Sequence, residues 1–307
     1  MTTMRGEKIL VTGLTGQVGE PVAIALAAEN EVWGAARFGS ARRRARLEAA
    51  GVRCEVVDLV SSDFSELPDD FTYVVDFAVA KTNNWDLDIT ANAEALGLLM
   101  AHCRNAKAFL HCSSTAVYQP SGSKSFVETD PLGDNHRVLP FLETYSITKI
   151  AAEAVARLAA RQWNLPTTIA RLNVPYGDKG GWPSYHLESM INGDPIALRA
   201  GMESAYNPIH EEDIVRSVPG LLAAATVPAT IVNWGGDDRV TINEWCAYLG
   251  ELTGLEPKFL ESEDTLPCTA VDVTKLQSLV GPSTVGWRDG FRRMVATRHP
   301  ELLAASA

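Results

Sequence analysis

No hydrophobic run in this chain approaches the roughly 18 residues that a membrane-spanning helix needs. The first apolar stretch, Ile9–Thr12, is cut short by Gly13 before it could act as a signal-peptide core. Cysteine is scarce. There are five (Cys54, Cys103, Cys112, Cys246 and Cys268), an odd number with no C-x-x-C pair and no metal-ligand spacing. This excludes a disulfide framework or a zinc site, and the thiols are expected as small buried hydrophobes in a reducing cytoplasm. Positive charge is also short: 27 Lys and Arg stand against 38 Asp and Glu, a net charge of −11. That argues against nucleic acid as a partner, because phosphate binding wants a basic face. Internal repeats and low-complexity tracts are absent too. What is present is ordinary for a soluble globular protein, with 46% hydrophobic and 21% charged residues. The 307 residues suffice for one large domain or two modest ones.

Short apolar runs alternate with helical patterns through the first half. Strands are expected at Lys8–Thr12, Glu31–Ala36, Val52–Val57, Tyr73–Phe77, Ala108–Cys112 and Thr167–Arg171. Helices are expected over Gln17–Ala28, Ala41–Ala50, Asp88–Arg104 and Thr144–Gln162. This β-α-β-α order predicts an α/β fold: a Rossmann-like, doubly wound parallel sheet covered on both faces. Gln119–Leu142 is rich in Pro, Gly, Ser and Asp and reads as a long surface loop. After Arg171 the alternation weakens, and Asn173–Pro208 shows no firm period. Glu211–Ala225 reads as a helix, with His210 anchoring the turn before it and Asp213 bracing it. Thr230–Asn233 reads as a strand returning to the sheet. Thr241 is an N-cap with Glu244 as its capping-box partner. Residues 1–172 with about 211–238 are therefore expected to form a dinucleotide-binding domain. Residues 173–210 and 239–307 are expected to form a smaller substrate-binding lid.

V-T-G-L-T-G-Q-V-G spans Val11–Gly19, at a strand end opening a helix. Gly13, Gly16 and Gly19 permit a tight turn and close approach of a pyrophosphate to the backbone. Thr15, Gln17 and Val18 fill that turn and are expected to contact the cofactor with the glycines. The helix N-terminus behind it offers free N–H groups to an anion. The second strand ends V-W-G-A-A-R-F, with Ala36 where an acid would meet the 2′-hydroxyl of NAD and Arg37 directly after it. An arginine there suits the 2′-phosphate of NADP, so NADP is favoured and NAD remains possible. Arg42, Arg43, Arg44 and Arg46 read mostly as a solvated helix face. Asp58 either meets the adenine amino group or caps a loop.

Tyr145 and Lys149, in Y-S-I-T-K, share one helix face. A free tyrosine is a poor base at neutral pH, and a nearby ammonium favours its phenolate. Such a pair exchanges a proton with a carbinol or carbonyl oxygen while a nicotinamide exchanges hydride. His111–Tyr118, H-C-S-S-T-A-V-Y, lies at a strand end, where open parallel sheets face their ligand crevice. Ser114 is expected to hydrogen-bond the substrate oxygen, with Ser113 or Thr115 as alternatives.

T-G-L-T-G-Q-V-G, S-S-T-A-V-Y and Y-S-I-T-K, in this order, resemble the extended short-chain dehydrogenase/reductases, in the branch of NAD-dependent epimerases and dehydratases. The resemblance runs from Lys8 to about Arg293. Asp58-Leu59 is similar to the family's adenine-contacting pair, and Phe77–Lys81 to its loop after strand four. N-A-E-A-L-G-L-L-M from Asn92 is similar to the family's Asn-Val-x-Gly-Thr helix, and Asn207–Asp213 to its Ile-His-Val-Asp-Asp turn. The resemblance implies Ser114, Tyr145 and Lys149 as the catalytic triad. Gly13, Gly16, Gly19, Asp58, Ala78, Lys81, Tyr145 and Lys149 would meet the cofactor. It also implies either a homodimer through the Asp88–Arg104 and Thr144–Gln162 helices or, equally, two core helices there. Three departures stand out. The acid after strand two is missing. Val174 occupies the place of the asparagine that often serves nucleotide-sugar phosphates. Thr115-Ala116 replace the Asp-Glu pair of dehydratases.

The expected function is thus an NAD(P)-dependent oxidoreductase interconverting a ketone or aldehyde with an alcohol. Its substrate pocket is expected among Thr115, Tyr118, Trp182, Tyr185 and Tyr206, with no metal. The alternatives are a sugar or nucleotide-sugar epimerase that retains NAD, and a non-catalytic dinucleotide-sensing regulator.

Overall fold

The structure is a computed structural model and describes residues 4–303 except Leu59. The first half runs β1 (Lys8–Thr12), α1 (Gly19–Ala27), β2 (Glu31–Ala36), α2 (Ala41–Ala49), β3 (Arg53–Val56), β4 (Tyr73–Asp76) and α3 (Trp85–Ile89). A π-helical turn, Thr90–Glu94, leads into α4 (Ala95–His102), β5 (Ala108–Ser114), α5 (Tyr145–Gln162) and β6 (Thr167–Leu172). The second half adds β7 (Val174–Gly177), β8 (Gly180–Gly181), α6 (Trp182–Asn192), β9 (Pro195–Arg199), β10 (Ala205–Tyr206), β11 (Pro208–His210) and α7 (Glu211–Ala223). β12 (Thr230–Trp234), β13 (Val240–Thr241), α8 (Ile242–Thr253), β14 (Lys258–Ser262), α9 (Thr274–Val280), α10 (Trp287–Arg298) and α11 (Pro300–Leu303) complete it.

Seven strands form one sheet in the order β12-β6-β5-β4-β1-β2-β3, every pair parallel. Chain order reverses between β1 and β4, which opens a crevice beyond their C-terminal ends. Alternate residues of each strand serve opposite faces. Ile9 and Val11 pack with Val22, Leu26 and Val218, whereas Leu10 packs with Leu96, Leu99 and Ala156. Small residues on α5, among them Ala152, Ala156 and Ala160, let that helix lie close against the sheet. A third cluster, including Tyr176, Leu187, Trp245, Leu249, Phe291 and Met294, is built by β7, α6, α8 and α10. Among the described residues no helix is long and apolar enough to cross a membrane. Cys54, Cys103, Cys246 and Cys268 are buried and Cys112 partly so, all as free thiols.

Several expected signals act as read. Thr241 caps α8 with a reciprocal capping box through Glu244. His210 Nδ1 accepts from Glu212 N at the start of α7, and Asp213 accepts from Thr284 and Val285. The unassigned stretch Asn173–Pro208 contains a full helix, α6, which opens on Gly181 at φ 136°. Its N-cap makes no side-chain hydrogen bond, so Pro183 in the first turn is the one start signal it carries.

Candidate active site

The glycine turn is closed tightly on its neighbours. Gly13 has φ +63°, and a Cβ there would stand 2.5 Å from the Phe77 carbonyl carbon. A Cβ on Gly19 would stand 2.6 Å from Gly13 O. The bare backbone therefore forms a cradle between the β1 turn, the start of α1 and the loop after β4. This is the shape a dinucleotide pyrophosphate requires, so the residues present fit such a cofactor.

The loop after β4 is held from below and from the side. Thr12, Asp76 and His111 stand level on three adjacent strands. Thr12 Oγ1 donates to Asp76 Oδ1 at 2.5 Å, and His111 Nδ1 lies 2.7 Å from Asp76 Oδ2. Burial alone would raise the Asp76 carboxyl, but His111 and Thr12 outweigh it and hold it below the usual range. Farther along, the Asn92 amide clamps Ala80 through both its N–H and its carbonyl, at 2.7 and 2.9 Å. Asp88, fully buried, accepts from Thr82 N, Thr82 Oγ1 and Asn83 N, and from Thr144 Oγ1 at 2.6 Å. Burial pushes the Asp88 carboxyl up, and these donors more than reverse it. Asp88 thereby ties the loop carrying Lys81 to the residue preceding Tyr145. Of these anchors, the sequence reading had picked out only Asn92, through the family resemblance. Polar residues level with one another at the ends of β1, β4 and β5 were the available sign for Thr12, Asp76 and His111.

Ser113 and Ser114 point to opposite faces of β5. Ser113 Oγ donates to Glu153 Oε1 at 2.6 Å, and Glu153 holds Arg171 at 2.8 and 2.9 Å, all buried. Ser113 is thus engaged in the interior. Ser114 Oγ accepts from Ala116 N at 3.1 Å and lines the crevice. Thr115 also reaches the crevice, where its Oγ1 accepts from Asn173 Nδ2. Tyr145 opens α5. Lys149, one turn on and nearly buried, donates from Nζ to Cys112 O at 2.9 Å. Lys81 Nζ lies 4.7 Å from the centre of the Tyr145 ring.

Two cavities meet along this wall. One, of about 340 Å³, runs from Gly13 and the Gly16–Gly19 turn to Ser114, Tyr145 and Lys149. The other, of about 560 Å³, shares Gln17, Lys81, Ser114, Tyr145 and Asn173 with it and extends to Thr115, His136, Trp182, Tyr185, Tyr206 and Thr269. A third, of about 120 Å³, begins at Gly13 and Thr15 and is rimmed by Ala36, Arg37, Asp58 and Ala78. Val18 lies on the first cavity. Gln17 Nε2 also donates to Pro175 O and Gly180 O, both at 3.2 Å. Arg37 is exposed on the rim of the third cavity. Asp58 Oδ1 accepts from Val60 N at 3.1 Å, the loop-capping arrangement. Arg44 pairs with Glu48 along α2, and Arg46 reaches across to Glu20 on α1. Arg43 instead reaches the Thr15 carbonyl.

One substrate candidate is misplaced by the sequence reading. Tyr118 is fully buried, stacked on Phe126 at 4.8 Å, and its hydroxyl donates to Asn233 Oδ1. Burial pushes its phenol up to about 12. It supports the long loop before α5 from beneath and does not face the cavity. Tyr206 does face it, although its hydroxyl is engaged with Pro267 O. Leu59 lies outside the described residues. His136 was not singled out by the sequence, since it sits in a loop with no motif around it.

The NAD dependent epimerase/dehydratase family model matches residues 9–235. No curated protein matches the chain by sequence. Among solved structures, UDP-glucuronic acid 4-epimerase from Bacillus cereus, in complex with UDP-glucuronic acid and NAD, is 21% identical. It superposes with a TM-score of 0.80, covering 94% of this chain and 98% of that one. UDP-N-acetylglucosamine 4-epimerase from Methanobrevibacter ruminantium, in complex with UDP-N-acetylmuramic acid, is 16% identical with a TM-score of 0.82, covering 97% and 100%. The dTDP-glucose 4,6-dehydratase DesIV from Streptomyces venezuelae, with NAD bound, is 20% identical with a TM-score of 0.80, covering 95% and 97%. At these identities the likeness is one of fold. With the glycine cradle, the crevice and a family match over most of the length in agreement, this chain belongs to the NAD dependent epimerase/dehydratase family.

Proposed function

We propose that this protein is an epimerase-type enzyme that retains NAD and inverts a secondary alcohol of a sugar or nucleotide sugar through its ketone. This departs from the sequence expectation of a simple carbonyl or alcohol substrate. The NAD-bound and UDP-sugar-bound relatives favour the change. The observation that carries the reading is the wall shared by the cavities of about 340 and 560 Å³, where Ser114, Tyr145 and Lys81 face both. NAD, which the Gly13–Gly19 turn would hold, would supply a hydride acceptor for the carbinol carbon and a hydride donor to the opposite face of the ketone once the substrate has turned. The chain's own residues do the rest. Ser114, its oxygen already engaged by Ala116 N, has its hydroxyl proton to donate to the substrate oxygen. Tyr145 takes the carbinol proton and gives it back. Lys149, steadied on Cys112 O, and Lys81, over the phenol ring, supply positive charge beside it. Trp182, Tyr206 and Leu266 give the pocket an apolar wall that keeps water from the ketone. Residues 173–210 and 239–307 act in this scheme as the substrate-binding part.

The test is incubation of NAD-loaded protein with UDP-glucose, UDP-glucuronic acid and UDP-N-acetylglucosamine, followed by NMR detection of the 4-epimer. Tyr145→Phe is expected to lower turnover at least about hundredfold. Absence of any epimer with all three sugars would sink the reading. A second reading, an NADP-linked reductase, is favoured by Arg37 at the rim of the third cavity. A clear affinity preference for NADP that disappears in Arg37→Ala would move the assignment there. Exposed Leu98 on α4 and Leu158 on α5 would be covered in a homodimer, which sedimentation measures directly.

A further inference from the structure

We propose that His136 determines substrate specificity: its Nε2 accepts a hydrogen bond from a substrate hydroxyl beside the reacting carbon. The inference rests on the epimerase-type reading above and extends it to a residue in the loop between β5 and α5.

Place comes first. The His136 ring lies 5.1 Å from the Tyr145 ring, tilted by 55°, and lines the larger cavity together with Ser114 and Thr115. A ligand with its oxygen at Tyr145 and Ser114 therefore has its neighbouring substituent within reach of His136. The loop holds the ring still from two sides. His136 N donates to Ser146 Oγ at 3.2 Å, and Leu139 N donates to His136 O at 2.9 Å.

The tautomer comes next, and Asn135 decides it. The buried Asn135 amide donates from Nδ2 to Tyr118 O at 3.1 Å and to Thr115 O at 3.4 Å. Both partners are carbonyls, so the amide cannot be turned round without facing oxygen to oxygen. Its Oδ1 must then accept, and the group in contact with it is His136 Nδ1. The proton consequently resides on Nδ1, and Nε2 carries a lone pair. Nε2 has no protein partner among the described residues. Burial, with the Lys81 ammonium beside the ring, pushes the His136 pKa down to about 4, against a smaller opposing pull from Asp134. The imidazole is therefore uncharged at neutral pH, an acceptor lining the same cavity as Ser114, Tyr145 and Lys81.

An acceptor at that position selects for a ligand with a donor next to the carbon that reacts, such as a vicinal hydroxyl. A ligand with a carbonyl, ether or hydrogen there leaves the lone pair unmet.

The experiment has two parts. Long-range proton–nitrogen NMR on histidine-labelled protein at neutral pH is expected to show His136 with Nδ1 protonated and Nε2 bare. A His136→Gln variant assigns the signal. Saturating the NAD-loaded protein with UDP-glucose should then shift the Nε2 resonance as it accepts. In the kinetic part, His136→Leu should raise the KM for UDP-glucose about three- to tenfold, the loss of one hydrogen bond, with kcat changed less. His136→Gln, which keeps an acceptor, should restore most of it. A protonated Nε2, or an unchanged KM in His136→Leu, overturns the proposal. Failure of the unaltered protein to bind UDP-glucose counts against the nucleotide-sugar reading, whereas a protonated Nε2 counts against His136 whatever the substrate.

Discussion

Asp88→Asn removes one charge and almost no volume from a fully buried site. With its oxygen in the place of Oδ1, the new amide still accepts from Thr82 N and Thr82 Oγ1, at the present 2.9 and 2.8 Å. Its NH2 then occupies the place of Oδ2, opposite Asn83 N at 3.0 Å and Thr144 Oγ1 at 2.6 Å. The threonine hydroxyl can reverse and accept. The Asn83 N–H cannot, and is left facing another donor; in the opposite orientation of the amide the Thr82 N–H does so instead, keeping only its 3.2 Å contact at the Oδ2 place. One orphaned donor costs about 1–3 kcal/mol, and loss of charge assistance in the remaining bonds about 1 kcal/mol more. The expected destabilisation is about 2–4 kcal/mol, or a drop in Tm of roughly 3–6 °C for a chain of this length. It is to be measured as a change in urea midpoint at constant m. Because Thr144 precedes Tyr145, a Thr144→Val change should couple to Asp88→Asn by at least about 0.5 kcal/mol in a double-mutant cycle. Stability within about 0.5 kcal/mol of the parent, or strict additivity of the two changes, would refute the view that Asp88 joins the Lys81 loop to α5.

Other perturbations separate neighbouring roles. Gly13→Ala sets a Cβ at positive φ and 2.5 Å from Phe77, so NAD affinity measured by fluorescence titration should fall at least about tenfold. Retained affinity would mean that the loop after β4 is free to retreat. Ser114→Ala should slow turnover about ten- to hundredfold with the fold intact. Ser113→Ala should instead lower stability by about 1–2 kcal/mol and leave turnover nearly alone; an inverted pattern would exchange the two serines. His186, which accepts from Trp245 Nε1 at 2.8 Å, is pushed by burial down to about 4. Its folded pKa lies below the unfolded value near 6.5, so the unfolded chain binds the extra proton between those limits. The stability it confers is complete above pH about 6.5 and lost towards pH 4, with a slope of about 1.4 kcal/mol per pH unit. His186→Gln should remove this share of the slope in urea midpoints taken across the range, leaving the similar share of His136.

The parallel sheet was legible because β-branched runs, turn residues and helical periods agree with one another from Lys8 to Leu172. The crevice at the strand C-termini follows from that doubly wound alternation. Legibility ended where polar partners come from distant places. Nothing local distinguishes Ser113 from Ser114, since the difference is Glu153, forty residues away on α5. An aromatic at a strand end reads alike whether it stacks on Phe126 or on a ligand, so Tyr118 was assigned to the wrong environment. α6 begins on glycine with tryptophan and proline next, which offers neither a cap nor a clear amphipathic period. The exposed strand β14 exists only through its pairing with β9. Asp88 and His136 sit in segments whose meaning depends on Thr82, Thr144 and Asn135, and no spacing rule announces them.

Gln17 belongs to the turn between the glycines, yet its amide is bonded to carbonyls of β7 and β8, at Pro175 and Gly180. The floor under one ligand and the wall around the other thus hang on a single side chain. Thermodynamic linkage then imposes a symmetry on the two ligands. Whatever factor by which an occupied dinucleotide groove changes affinity for the second ligand, that ligand must change affinity for the dinucleotide by the same factor. Gln17→Ala should therefore bring both factors towards one together.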